Sequence, residues 1–252
     1  MLHYPQALPF PTGAALVLFS AGQDSSIALA WALHRFSRVE TIGFAYGQRH
    51  AVEMEARPKV RAAIAALRPE QAARLGPDHV VDLASFGALA ASALTREEPI
   101  VETEGALPNT FVPGRNIVFF TYAGALAAQR GLDVLVGGMC EADFSGYPDC
   151  RADTLEAAER TLQLALARPT LAIATPLMHL SKAQSWSLAQ LLGGEALVQL
   201  VREHTHTCYL GVRDTLHAWG YGCATCPACV LRARGWMDYA GGDSAATATR
   251  SS

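Results

Sequence analysis

The stretch that decides the fold reads Ala14-Ala15-Leu16-Val17-Leu18-Phe19, then Ser20-Ala21-Gly22-Gln23-Asp24-Ser25-Ser26, then the helical pattern SSIALAWALHR from Ser25 to Arg35. The uninterrupted apolar run predicts a strand buried on both faces, as in a parallel sheet, and the residues after the turn carry apolar side chains at helical spacing. The small-residue turn between them aims backbone N–H groups and the positive end of the helix dipole at one spot, a cradle suited to an anion such as phosphate. Serine hydroxyls add donors. The same letters also suit a helix that is merely capped, since Ser and Asp are common caps. Neither of the two commonest nucleotide loops is present: the two lysines, Lys59 and Lys182, do not follow glycine, and no G-x-G-x-x-G follows a strand.

Downstream the alternation repeats. Val39 to Ala45 predicts a second strand, His50 to Leu67 a helix, and His79 to Leu83 a third strand. A long polar connection, Thr95 to Gly114, precedes a nearly all-apolar helix from Asn116 to Arg130, stopped by Gly131. Val134 to Gly138 and Leu171 to Ala174 predict two further strands, with helices over Ala152 to Ala167 and Ser181 to Leu192. The fold class is α/β, a Rossmann-like parallel sheet over 14–195, with a smaller C-terminal segment over 196–238 and a small, polar, disordered tail over 239–252. A chain of 252 residues that is 50% hydrophobic and 17% charged is long and apolar enough for a sizeable core, which excludes wholesale disorder. Its formal charge of −3 gives no field for non-specific nucleic-acid binding. The apolar run at Ala14 is too short to span a bilayer, and Pro5, Pro9 and Pro11 precede it with no basic leader, so a cytoplasmic protein is expected.

Cysteine usage is uneven. Cys140 and Cys150 stand apart, whereas Cys223-x2-Cys226-x2-Cys229, with Cys208 upstream, crowd the last fifth of the chain. Four soft thiolates are what a closed tetrahedral Zn2+ site needs, and a closed shell leaves no open position for catalysis, so a structural zinc is expected. His204, His206 and His217 are rivals to Cys208 as the fourth ligand.

Three polar segments sit at strand ends or helix starts: Tyr46-Gly47-Gln48-Arg49-His50, Val112-Pro113-Gly114-Arg115-Asn116, and Glu141 to Arg151 (EADFSGYPDCR). In an open parallel sheet such ends collect along one rim, where ligands bind. The SAGQDS loop resembles the SGGxDS loop of the ATP pyrophosphatases, which grip the leaving pyrophosphate while a substrate oxygen attacks the α-phosphorus of ATP. With YGQRH, VPGRN, DFSGYPDCR, TPL-x3-SKA and the cysteine spacing, the chain from about Ala15 to Trp236 closely resembles the 7-cyano-7-deazaguanine synthases, the QueC family of queuosine biosynthesis.

That resemblance implies an ATP-pyrophosphatase fold, a C-terminal zinc site, a homodimer, and ATP-dependent conversion of 7-carboxy-7-deazaguanine and ammonia to the nitrile. Leu18, Phe19, Ser20, Ala21, Gly22, Gln23, Asp24, Ser25 and Ser26 are the expected ATP-binding residues, Asp24 also through Mg2+. Asp24, Lys182 and Arg115 are the expected catalytic residues, the last two neutralising phosphate or carboxylate charge. A surface lysine at a helix start and a simple ion pair are the competing readings of Lys182 and Arg115. Tyr46, Gln48, Arg49, His50, Arg115, Asn116, Asp143, Phe144, Ser145, Tyr147, Asp149 and Arg151 are the expected substrate contacts, with Asp143 and Asp149 set to accept the N–H donors of the base edge. Caps and core aromatics are the alternative for that last group. Cys208, Cys223, Cys226 and Cys229 are the expected zinc ligands. No direct nucleic-acid binding and no membrane association are expected. The chain departs from the family at Ala21, in place of a glycine, and at Ala45, where an Asp often stands. The interval from Cys208 to Cys223 is also longer than usual.

Overall fold

The computed structural model describes residues 13–49, 52–90, 92–101, 107–141 and 147–248. In chain order the elements are β1 (Ala14–Leu18), α1 (Gln23–Arg35), β2 (Arg38–Ala45), α2 (Val52–Leu67), α3 (Pro69–Ala72), β3 (Leu75–Asp82), α4 (Ala84–Leu89) and α5 (Arg115–Arg130). There follow β4 (Val134–Val136), a 3-10 turn (Pro148–Cys150), α6 (Ala152–Ala165), β5 (Ala172–Ala174), α7 (Lys182–His204), β6 (Leu216–His217), β7 (Gly220–Tyr221) and α8 (Pro227–Ala248).

The five main strands form one parallel sheet in the order β3-β2-β1-β4-β5, so β1 lies at its centre and the chain reverses direction across the sheet beside it. Side-chain alternation along β1 builds both layers. Ala15 and Val17 face a core shared with α1, α2 and α7, and Leu16 and Leu18 face one shared with α5 and α6. Such a switch point beside a central strand opens a crevice at the carboxyl ends of the strands. Gly131 takes the left-handed conformation (φ 64°) that closes α5. Ser181 and Gln184 make a reciprocal capping box at the start of α7.

Four differences from the sequence reading have physical causes. β3 begins at Leu75 because its half-exposed edge position tolerates the polar letters that made it look like a loop. α7 continues past Leu192 to His204, bending at Gly194 (φ 63°), and Leu197, Val198, Leu200 and Val201 stay in the same core as the sheet. The boundary drawn at 195 thus crosses continuous packing. α8 runs helical through Ala248, over residues read as tail, on backbone rich in alanine. The short helix α4 fills a stretch between the third strand and Thr95 to which the sequence assigned no element, its few residues giving too short a pattern to read. No helix among the described residues is long and apolar enough to cross a membrane.

At the opposite end of the sheet from the crevice, the Glu40 side chain is fully buried and ringed by Arg38, Arg130 and His79. Arg130 grips both oxygens at 2.8 and 2.9 Å, His79 Nε2 lies at 2.7 Å, and Arg38 donates as well. Burial works against the carboxylate's charge, but hydrogen bonds from Arg130, His79 and Arg38 outweigh it and hold its pKa down to about 2. The folded pKa lies below the ordinary 4.5, so this contribution is complete above that pH and is lost as pH falls toward 2. Glu40→Gln is expected to lower the unfolding free energy by about 1–2 kcal/mol, because the buried side chain loses its charge-assisted hydrogen bonds to the solvent-facing Arg130 and Arg38. Urea unfolding at pH 7 checks this; an unchanged midpoint would show that the cluster is solvated and adds nothing.

Candidate functional site

The turn after β1 is held open by its own atoms. The Ser20 N–H donates to Ser25 Oγ at 3.2 Å, the Gly22 N–H donates to Ser20 Oγ at 3.2 Å, and Ser25 Oγ donates to the Gly22 carbonyl at 3.3 Å. Ala21 sits in the left-handed region (φ 66°), a conformation that favours glycine. Its methyl group packs into the core and is absent from the cavity wall. The departure at Ala21 is therefore a strain on the backbone and no obstruction to an anion.

Around this loop lies a cavity of about 350 Å3. Leu18, Phe19, Ser20, Gly22, Gln23, Asp24 and Ser25 line one end; Ser26 is buried beneath, with no partner for its hydroxyl. The Gln23 side chain is 1% exposed, and both its amide O and N lack partners among the described residues. Buried polar atoms of this kind call for a ligand or water. Lys182, at the start of α7, reaches into the same end and places Nζ 3.0 and 2.9 Å from the two oxygens of Asp24. Its stem is pressed by α8, where a Cβ on Gly235 would come within 2.5 Å of the lysine's Cβ. Lys182 is thus a directed, 9% exposed cation rather than a surface residue, and Asp24 is engaged with it.

The loop after β4 closes that end tightly. A Cβ on Gly138 would fall 2.9 Å from the Asp24 carbonyl carbon and the Ser25 nitrogen. Gly138→Ala is expected to displace the first turn of α1 and weaken binding of inorganic pyrophosphate at the loop about 100-fold, since its donors would no longer converge on one spot. Calorimetry with pyrophosphate would show it, and parental affinity would mean that the loop yields freely.

The other end of the cavity is apolar and flat. Phe44 and Phe119 stack with centroids 4.1 Å apart, Tyr46 tilts against Phe119 at 5.5 Å, and Leu94 and Met54 complete the wall. Arg115 joins the two ends: its guanidinium lies over the Tyr46 ring at 5.7 Å and donates to Tyr46 Oη at 3.2 Å. Gln48 is used locally, accepting from the Tyr46 N–H at 2.9 Å, and Arg49 donates to the Glu98 carbonyl at 3.2 Å. Tyr147, Asn116 and Cys150 also line the cavity. Burial and the neighbouring Asp149 push the Cys150 thiol up to about 11, so it is a neutral wall group.

Two expected substrate contacts are elsewhere. The Asp149 carboxylate accepts the Asn116 N–H at 3.0 Å, capping α5 from within the protein, and does not line the cavity. Arg151 precedes α6 away from the cavity. His50, Asp143, Phe144 and Ser145 lie outside the described residues.

Several cavity residues were not anticipated: Glu53, His206, Thr207, Tyr209 and Arg232. Glu53 follows the YGQRH segment by three residues in the first turn of α2, so its proximity to that motif was the available signal. Desolvation raises its pKa to about 7, opposed by the Arg115 and Arg57 charges. His206, weighed as a metal ligand, has another task. Its N–H donates to the Ala21 carbonyl at 3.1 Å, tying the segment before Cys208 to the anion loop. Its ring Nε2 meets the Cys208 carbonyl at 3.1 Å. Arg232, fully buried, donates to the Trp219 and Val201 carbonyls at 3.0 and 2.8 Å and pins the C-terminal hairpin to α7.

The four clustered cysteines converge. The sulfurs of Cys208, Cys223, Cys226 and Cys229 all lie within 4.8 Å of one another, and no histidine, Asp or Glu among the described residues joins them. Hydrogen bonds from Cys226 and Cys229 hold the Cys208 thiol well below the usual range. Tetrahedral bonds of about 2.3 Å from sulfur to zinc span a cluster of this size, so the donor set fits a structural metal ion. Cys208 belongs to both the cluster and the cavity wall.

Comparison with known proteins agrees with this geometry. The family described as queuosine biosynthesis protein QueC matches residues 14–240. A 7-cyano-7-deazaguanine synthase of Caulobacter vibrioides is 63% identical over 226 residues, covering 90% of this chain and 93% of the relative. One from Hyphomonas neptunium is 61% identical over 236 residues, covering 94% and 98%. Among solved structures, a 4-thiouridine synthetase in complex with RNA and bound ATP superposes with a TM-score of 0.50 at 16% identity. That superposition covers 89% of this chain and 53% of the other, a likeness of fold.

Proposed function

The chain belongs to the QueC family of queuosine biosynthesis, and on that premise we propose that it converts 7-carboxy-7-deazaguanine and ammonia to 7-cyano-7-deazaguanine at the expense of ATP. The observation that carries the reading is one cavity with an anion loop and a directed lysine at one end and a flat aromatic wall at the other. A planar base with an ionised carboxyl group fits such a cavity with its charge toward the loop.

A carboxylate becomes a nitrile only by losing two oxygens, and neither leaves unaided. In the first round the substrate carboxylate attacks the α-phosphorus of ATP, releasing pyrophosphate; ammonia then displaces AMP to give the amide. In the second the amide oxygen attacks the α-phosphorus of a second ATP, again releasing pyrophosphate, and AMP departs with that oxygen while the nitrogen gives up its two protons. The first N–H groups of α1 and the hydroxyls of Ser20 and Ser25 hold the departing pyrophosphate, with the Gln23 amide beneath them. Lys182 and Arg115 bring the two anions together and neutralise charge as the α-phosphorus becomes five-coordinate. Mg2+ carried by ATP would supply charge neutralisation at its phosphates. Cys208, Cys223, Cys226 and Cys229 would hold a Zn2+ ion that braces the C-terminal segment. A cytoplasmic homodimer is the setting that the family resemblance supports.

Purified protein mixed with 7-carboxy-7-deazaguanine, ammonium and MgATP is expected to yield the nitrile and two AMP per nitrile by mass spectrometry. Amide as the end product would reassign the chain to a single-round paralogue, and no ATP consumption would overturn the reading.

A further inference from the structure

Among the described residues that line the cavity, two carry carboxylates, Asp24 and Glu53. Asp24 is taken: Lys182 grips both of its oxygens. Asp149, which the sequence made a reader of the base, is committed to the start of α5 and lies off the cavity wall. Glu53 is different. It is half-buried at the flat end, and no hydrogen bond or ion pair joins it to another described residue. Arg57, one turn along α2, is directed instead to Asp78 on β3, and Arg115 is directed to Tyr46. A half-buried carboxylate without hydrogen-bond donors, on a wall made of Phe44, Phe119, Tyr46 and Met54, offers its oxygens to what enters the cavity.

We propose that Glu53 is the specificity-determining residue for the base, its two oxygens accepting the ring N1–H and the 2-amino N–H of a guanine-like substrate that lies along the aromatic wall. This inference rests on the function proposed above. The match is chemical and directional. The aminopyrimidinone edge of a 7-deazaguanine offers two neighbouring donors in the spacing that a carboxylate accepts in pairs. The 7-substituent lies on the opposite side of the fused ring. A base held by that edge at Glu53 therefore turns its 7-carboxyl group away from α2, toward Arg115 and the loop after β1. Adenine-like bases present an acceptor at ring position 1 and repel the carboxylate.

The test compares 7-carboxy-7-deazaguanine with its analogue lacking the 2-amino group, as a ratio of kcat/KM values for each enzyme, so that general damage to an enzyme cancels. The parent enzyme is expected to prefer the amino substrate by at least about 100-fold, because the analogue leaves a buried acceptor unpaired. In Glu53→Gln, whose amide supplies one acceptor and an unwanted donor, the preference is expected to fall below about 5-fold. Glu53→Asp, which keeps the carboxylate on a shorter stem, is expected to restore most of it. Calorimetric ATP binding by both variants reports that the anion loop is intact. A Glu53→Gln enzyme that keeps the parental ratio overturns the proposal, as does one that loses the two substrates equally, the result expected of a proton acceptor. A parent enzyme that turns over neither substrate would instead refute the functional reading on which this one rests.

Discussion

Lys182→Ala is expected to lower kcat/KM for ATP by at least about 1,000-fold, the scale seen when a positioned cation is removed from phosphoryl chemistry. Two losses combine. The ammonium group that faces developing charge at the α-phosphorus disappears, and the Asp24 carboxylate, until then gripped at 2.9 and 3.0 Å, is left to repel the incoming triphosphate. Lys182→Arg keeps the charge but not the compact reach, and is expected to recover only part of the activity, since the stem runs through the narrow gap that Gly235 leaves. Adding Asp24→Asn to Lys182→Ala is expected to recover ATP binding without recovering turnover, which separates the two losses. Turnover by Lys182→Ala within tenfold of the parent would remove this lysine from the chemistry.

Cys226→Ser is expected to reduce bound metal to background, and the effect should reach beyond the C-terminal segment. The buried cluster there is small, the cysteines with Trp219 and Ala228, and Ile100, Tyr209, Val212, Ala233 and Trp236 pack against it only partly buried, so a metal supplies much of what orders it. A loss of at least about 4 kcal/mol, or roughly 10 °C in melting temperature at this chain length, is expected. ATP binding is expected to weaken in parallel, because the stretch from Thr205 to Cys208 bonds the Ala21 carbonyl through the His206 N–H. Elemental analysis, thermal melting and calorimetry with ATP test the three effects together. Metal loss with unchanged ATP affinity would show that the tether is idle.

Local chemistry made part of this legible in the sequence. A strand, a tight turn and a helix start are written in contiguous letters, so the anion loop could be read from Ala14 to Arg35. Four thiols with short spacings announce their common purpose in the same way. Asp149 was misread because a carboxylate in a polar segment looks the same whether it faces a ligand or the N-terminus of a helix far along the chain; only packing decides. Glu53, His206 and Arg232 were missed for a related reason. Each reaches the cavity through the way α2, α7 and α8 lie against the sheet, and a single polar letter within a helix or loop carries no record of that. The extension of α7 escaped notice because Gly193-Gly194 interrupts its pattern, while the structure absorbs the interruption in a bend.

The bond between His206 and the Ala21 carbonyl has a consequence for the order in which the molecule is made. The anion loop follows β1, yet it is bonded by a residue that comes after α7. The sheet around β1 is equally late, since its neighbour β4 follows the long excursion through α2 to α5. A nascent or prematurely terminated chain that lacks the cysteine segment would carry every letter of the loop and still hold nucleotide poorly. Closure of the loop thus waits until the segment between α7 and β6 has been made.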